Sequence, residues 1–292
     1  MSNPFDLDDT ESYLHWREHK LAAAPRSTAE LIVEVRDPRA LTPNEHAAMA
    51  ERVARCNMAI YASSIHEADT EIPRLLGAQF GLLHLDANWL AGEDGVSEIR
   101  VFEKGTRQHY IPYTDRAIKW HTDGYYNPPE RTIRGMVLHC VRNASSGGDN
   151  QLMDHEMAYL LLRDQDPQHI RALMQADAMT IPERVDETDG VRTAQSGPVF
   201  SLDTSGNLHM RYTARTRSIE WKQDAATLAA VAALERLLAS TTPHIFHARL
   251  EPGMGLLCNN VLHDRSAFSD DPAHLPRLLY RARYLDRIEQ SA

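Results

Sequence analysis

Cysteine is scarce in this chain. Cys56, Cys140 and Cys258 are its only three in 292 residues, too few and too scattered for a disulfide framework or a zinc site. Cys140 and Cys258 sit in apolar runs, where a small buried hydrophobe is the expected role. Long apolar runs are also missing, and nothing approaches the roughly 20 residues of a membrane span. The first residues, Met-Ser-Asn-Pro-Phe-Asp-Leu-Asp-Asp, lack the basic and apolar regions of a signal peptide. Positive charge is in deficit: 31 Lys and Arg against 41 Asp and Glu give a formal charge of -10, which opposes a nucleic-acid groove. These absences lead to the expectation of a cytoplasmic protein with no membrane or nucleic-acid partner. The 42% hydrophobic content suffices for a sizeable core. With no visible linker or repeat, residues 1–292 are expected to form one domain.

Against this background one stretch stands out, Lys119-Trp120-His121-Thr122-Asp123-Gly124. It reads as a strand running into a loop. Residues i and i+2 of a strand point to the same side, so His121 and Asp123 can present an imidazole and a carboxylate to one point. Such a pair supplies two of the three ligands of a 2-His-1-carboxylate site, which leaves open positions on ferrous iron. The spacing alone decides little. With 15 histidines and 41 acidic residues, His-x-Asp/Glu is expected about twice by chance. It occurs twice, the second time as His84-Leu85-Asp86. No strand-turn-strand pattern comes after that second pair, so it is assigned to structure.

The chain beyond His121 is different. Asn127-Pro128-Pro129 leads into the apolar strand Gly135 to Val141, then a turn ending Gly147-Gly148-Asp149-Asn150. Far downstream, Gly255 to His263 reads as an apolar strand ending in histidine. After it come Asp264-Arg265-Ser266-Ala267-Phe268 and then Arg277-Leu278-Leu279-Tyr280-Arg281-Ala282-Arg283. This ordered set resembles the TauD/TfdA-like family of Fe(II)/2-oxoglutarate oxygenases, and its His-Asp-Arg-x-x-Phe ending looks most like the γ-butyrobetaine hydroxylase branch. The likeness is strong from about Trp120 to Arg283 and fainter from Thr42. It does not reach residues 1–40.

The resemblance implies a mainly β protein with helical insertions around a double-stranded β-helix (jelly-roll) core. It implies Fe(II), 2-oxoglutarate and O2 as cofactor and co-substrates, with His121, Asp123 and His263 as metal ligands. His244 and His247 are competing distal ligands, but no suitably spaced arginine comes after them. Arg277 is expected on the strand after that of His263, pointing inward if the two pair as neighbours, and by the same resemblance it holds the far carboxylate of 2-oxoglutarate. Many relatives place a threonine after Gly-Gly-Asp to share that task; here the residue is Asn150, whose amide can also donate. Arg281 keeps the facing of Arg277 and is expected to grip a substrate anion, with Arg265 and Arg283 competing. Tyr125 and Tyr126 are candidate pocket residues. The implied reaction hydroxylates a small polar or anionic metabolite with release of succinate and CO2, and the implied assembly is a homodimer or homotetramer. Two alternatives stay open: a jelly-roll dioxygenase that does not use 2-oxoglutarate, and a non-catalytic metal-binding barrel.

Around these motifs, residues 1–40 read as an N-terminal arm with Ile32–Val35 as a short strand. Thr42-Pro43-Asn44-Glu45 is a capping box opening a helix to about Ala62, and a second helix is expected over Thr70 to Gly81. Asp154 and Asp166 cap helices, and Asp224 caps an amphipathic one with Leu228, Val231, Leu234, Leu237 and Leu238 on its inner face. Between them, residues from about 180 to 218 read as a lid-like excursion closed by Arg211, Tyr212, Arg215 and Arg217.

Overall fold

Four runs, Met58–Ala62, Gly135–Arg142, Met254–Cys258 and Leu278–Tyr284, are apolar at most positions, and each becomes a strand of one sheet. In the computed structural model, which describes residues 3–86, 92, 94–186, 190–215 and 219–288, that sheet has six strands. Their order is Ile32–Glu34, Met58–Ala62, Met254–Cys258, Gly135–Arg142, Leu278–Tyr284 and Ser97–Ile99. A second sheet of four strands orders Phe246–Ala248, Asn150–Met153, Leu262–Arg265 and Ile118–His121. These two sheets form the jelly-roll core.

Alternation sorts the large sheet's side chains onto two faces. Met58, Ile60, Met136, Cys140, Leu256 and Leu279 face the second sheet and pack with Leu152, Phe246 and Val261. Tyr61, Val137, Leu257, Tyr280 and Tyr284 face the other way, against Met49, Val53 and Leu76 of two covering helices. All three cysteines are free and buried.

The first covering helix, Pro43–Cys56, opens on the capping box: the Thr42 side chain accepts from the Glu45 N–H, and the Glu45 carboxylate accepts from the Thr42 N–H. It is shorter than the expected run to Ala62. Asn57 takes a left-handed conformation at φ 59°, which ends the helix, and Met58 begins a strand buried between two neighbours. The arm is a helix, Thr10–Ala23, capped by Asp9. Its Lys20 is buried in salt bridges to Asp154 (2.6 Å) and Glu156 (2.5 Å), tying it to helix His155–Gln165.

Two readings of the late segment need correction. Residues 255–263 are not one strand. The chain leaves the large sheet at Cys258, turns through Asn259 and Asn260 (φ 49°), and enters the small sheet at Leu262. Nor does Arg277 come onto a strand neighbouring that of His263. Leu278–Tyr284 pairs with Gly135–Arg142 and Ser97–Ile99, in the sheet opposite the His263 strand. The capped helix Ala225–Leu238 buries Val231, Leu234 and Leu238, but Leu228 is exposed; the helix packs on its helical neighbours through a narrower stripe than the period suggests.

The described residues of the excursion, 180–186 and 190–215, build small sheets. Met179–Ile181 pairs with Gln195–Gly197 and Glu220–Trp221. Arg184–Asp186 pairs with Gly190–Arg192, and Phe200–Leu202 with Leu208–Met210. Arg217 lies outside the described residues. After this excursion the chain returns to the His121 strand. The Ala214 N–H donates to Trp120 O (2.8 Å) and the Thr122 N–H to Tyr212 O (3.0 Å). Among the described residues no helix is long and apolar enough to cross a membrane.

Candidate metal centre

His121 ends the strand Ile118–His121, and His263 lies directly opposite it on Leu262–Arg265. Facing residues on neighbouring strands project from the same side, and the two imidazoles sit 4.2 Å apart between centroids. Asp123 comes two residues after His121, with its Oδ1 3.8 Å from His121 Nε2. One ligand atom from each of His121, Asp123 and His263 lies within 4.8 Å of the others, and all three residues are buried.

Each ring is aimed by its other nitrogen. His121 Nδ1 lies 2.9 Å from Lys119 O and His263 Nδ1 lies 2.9 Å from Val261 O. Those carbonyls set the tautomer that leaves Nε2 as the lone-pair donor. Burial, with the nearby His263, pushes the His121 imidazole down to about 3. Burial alone would raise the Asp123 carboxyl, but Arg281, Arg283 and the imidazoles hold it well below the usual range. At neutral pH the His121 imidazole is therefore neutral and the Asp123 carboxylate ionised, the forms a divalent metal requires. Asp123 Oδ2 is buried with no hydrogen-bond partner, a cost that a cation would remove. The donor set fits Fe(II) with positions open to other ligands.

Asp123 is held at its backbone by a residue the motif reading passed over. The Asp123 N–H donates to Asn260 Oδ1 (2.7 Å), and Asn260 Nδ2 donates to Asp123 O (2.9 Å) and Ile133 O (2.7 Å). Asn is among the side-chain-bearing residues that best tolerate positive φ, so an Asn-Asn pair just before a strand was the available signal. Gly124 is needed as well: at φ +70° a Cβ there would collide with Ile133.

Arg277 precedes the strand Leu278–Tyr284 and is buried. Its guanidinium stacks on Phe268 at 4.9 Å, and its Nη1 has no hydrogen-bond partner. It lines a cavity with Gly147, Gly148, Asn150, Arg249 and Leu279. Asn150 shares this cavity, its Nδ2 donating to Asp264 O at 2.5 Å. Arg281 sits two strand repeats on and donates from Nη1 to Asp123 Oδ1 (3.1 Å).

The other candidates are placed differently. Arg265 donates to three backbone carbonyls, Pro112 (3.2 Å), Thr114 (2.7 Å) and Arg116 (2.6 Å), clamping the loop before the His121 strand. Burial, with Arg277 and Arg281 nearby, lowers it to about 9. Arg283 donates to Tyr126 Oη (2.9 Å) and Asp86 Oδ2 (2.6 Å). Tyr125 packs edge-on to Tyr126 at 5.1 Å, and burial raises its phenol. His244 borders a separate small cavity with Cys56 and Asp154, and His247 is exposed beside Gln151.

The sequence pattern of the taurine catabolism dioxygenase TauD, TfdA family matches residues 32–282. This chain belongs to the TauD/TfdA family. It is 32% identical over 169 residues to a uridine-5'-phosphate dioxygenase of an Amycolatopsis species, covering 55% of this chain and 60% of that one. A second uridine-5'-phosphate dioxygenase, from a Streptomyces species, is 32% identical over 195 residues, covering 62% and 66%. The chain thus spans somewhat less than two thirds of the length of these curated relatives. Among solved structures, the non-heme iron oxygenase OrfP in complex with Fe and alpha-ketoglutaric acid superposes with a TM-score of 0.60 at 17% identity, covering 84% and 80%. A taurine dioxygenase from Burkholderia xenovorans superposes with a TM-score of 0.55 at 20% identity, covering 89% of each chain. These likenesses show the TauD/TfdA jelly-roll fold.

Proposed function

We propose that this TauD/TfdA protein is an Fe(II)- and 2-oxoglutarate-dependent oxygenase acting on a small polar, anionic metabolite. The observation that carries the reading is the buried triad His121, Asp123 and His263, with both Nδ1 atoms already engaged and Asp123 Oδ2 unpaired. Bound Fe(II) and 2-oxoglutarate supply O2-dependent oxidation of a C–H bond, coupled to conversion of the keto acid to succinate and CO2.

The protein's part is placement. Arg277 offers the free, buried donor that the far carboxylate of 2-oxoglutarate wants, with Asn150 beside it. A triad enzyme without 2-oxoglutarate has no use for that donor. Arg281 draws Asp123 toward one orientation and keeps its Nε free of protein partners, so it can also meet a substrate anion. Arg265 positions the loop over 112–116, and Arg283 positions Tyr126. We further propose that the described residues of the excursion, 180–186 and 190–215, cover the substrate and that the protein works in the cytoplasm, where free buried thiols and ferrous iron both persist.

The relatives make uridine 5'-phosphate the first substrate to offer, beside taurine and free amino acids. Protein incubated with Fe(II), 2-oxoglutarate and O2 is expected to release succinate faster with one of these than with none, read by mass spectrometry. No conversion of 2-oxoglutarate to succinate under any of these conditions would count against the proposal.

A further inference from the structure

Most arginines around the metal centre are accounted for by the protein itself. Arg281 meets Asp123, Arg283 meets Asp86 and Tyr126, and Arg265 meets three carbonyls. Arg211 likewise donates to Tyr125 O (2.8 Å), Met179 O (3.1 Å) and Gln195 O (2.6 Å). Arg192 and Arg215 of the excursion instead meet aromatic side chains, Arg192 the Tyr126 ring and Arg215 the Tyr125 side chain. Among the described residues no carboxylate pairs with Arg192 or Arg215. The Arg192 Nε is buried without a hydrogen-bond partner.

Both are brought to the metal face. Thr213 lies opposite His121 in an antiparallel bridge, so its side chain is on the side His121 uses. Arg215, two residues on, donates its N–H to Thr213 Oγ1 (3.4 Å), and its side chain meets that of Tyr125. Arg192 lies over the Tyr126 ring at 5.2 Å, and Tyr126 comes three residues after Asp123. Arg192 and Arg215 both lie beside Tyr125. Like charges gathered on a half-buried surface without a counter-ion are costly unless an anion joins them.

We propose that Arg192 and Arg215, with the Tyr125 hydroxyl, form the subsite for a phosphomonoester group on the substrate, on the excursion side of the metal centre. The class is set by the donors. Two guanidinium forks from separate segments suit a dianion with three terminal oxygens better than a carboxylate with two. The inference rests on the proposed oxygenase function and adds the substrate class and the residues that select it.

The test measures binding under anaerobic conditions to protein loaded with Fe(II) and 2-oxoglutarate. Uridine 5'-phosphate, uridine and inorganic phosphate are titrated by calorimetry into wild type, Arg192→Gln, Arg215→Gln, Arg215→Lys and the distant surface variant Arg74→Gln. Wild type is expected to prefer uridine 5'-phosphate to uridine by at least roughly 10-fold. Each Gln variant should lose roughly 10- to 100-fold for the phosphate ester while its affinity for uridine stays unchanged. Arg215→Lys should recover part of the loss, and Arg74→Gln should match wild type.

Equal wild-type affinity for uridine 5'-phosphate and uridine would overturn the proposal. So would preference retained in both Gln variants, a parallel loss of both ligands, or wild type that binds neither uridine 5'-phosphate nor inorganic phosphate. The visible band of the iron chelate is recorded in the same samples. Its absence from wild type would count against the oxygenase reading, whereas discrimination between ester and nucleoside reports on the arginines alone.

Discussion

His84-Leu85-Asp86 and His121-Thr122-Asp123 share a spacing and part company in three dimensions. The His84 ring is exposed and meets Asp286 (Nδ1 to Oδ1, 2.7 Å), far along the chain. Asp86 points elsewhere, to Arg283 and Arg131. In the second pair both side chains are buried and converge on a third residue, His263. The difference lies in the neighbours. The His121 strand pairs with the strand carrying His263, and a return segment seals its other side. Leu85 makes only an isolated bridge, to Tyr284, so nothing forces His84 and Asp86 to share a target. A His-x-Asp pair acquires metal chemistry from the strand beside it.

Exchanging the roles of the two pairs should fail in measurable ways. The largest effect expected is on metal. Asp123→Ala should lower Fe(II) affinity by more than the roughly 10- to 100-fold typical of losing an outer hydrogen-bond partner, whereas folded Asp86→Ala should bind as wild type does, both by anaerobic calorimetry. The next effect is on stability. Asp86 has 1% of its side chain exposed and Arg283 has 3%, so Asp86→Ala leaves a buried guanidinium uncompensated. It should cost roughly 3–5 kcal/mol in urea unfolding; a cost below about 1 kcal/mol would mean that water reaches the pair.

Asn260→Ala sharpens the comparison from the side of the backbone. It removes three hydrogen bonds and an asparagine suited to positive φ, so metal affinity should fall about 10- to 100-fold even though all three ligands remain. Protonation provides a milder contrast. Burial pushes His139 down to about 4, against about 6.5 in an unfolded chain. Below 6.5 the unfolded state takes up the proton first, so stability is full above pH 6.5 and falls as pH drops toward 4. The loss from this residue should reach about 2 kcal/mol at pH 5, and His139→Asn should flatten that part of the profile. The smallest effect belongs to His84→Ala. An exposed pair of this kind contributes at most about 1 kcal/mol, and metal affinity should not change.

Local signals in the sequence carried much of this architecture. The capping box at Thr42 and the aspartate caps at 154, 166 and 224 stand where their chemistry puts them. The convergence of His121 and Asp123 was legible because i and i+2 on a strand share a face. The long-range arrangement stayed hidden. Nothing local says that the chain changes sheets at Asn260, or that Arg277 sits across the sandwich from His263. Arg281, Arg283 and Arg265 look alike in sequence, yet they meet a carboxylate, a phenol with a carboxylate, and three carbonyls. Which arginine is left with a free donor depends on who its neighbours are, and only the folded chain supplies those.

The most direct measurement adds Fe(II) and 2-oxoglutarate anaerobically to the metal-free protein and tracks the weak visible band of the iron chelate. The account predicts a band in wild type, one that needs higher 2-oxoglutarate in Arg277→Ala, and none in Asp123→Ala. Iron binding without any such band in wild type would contradict it.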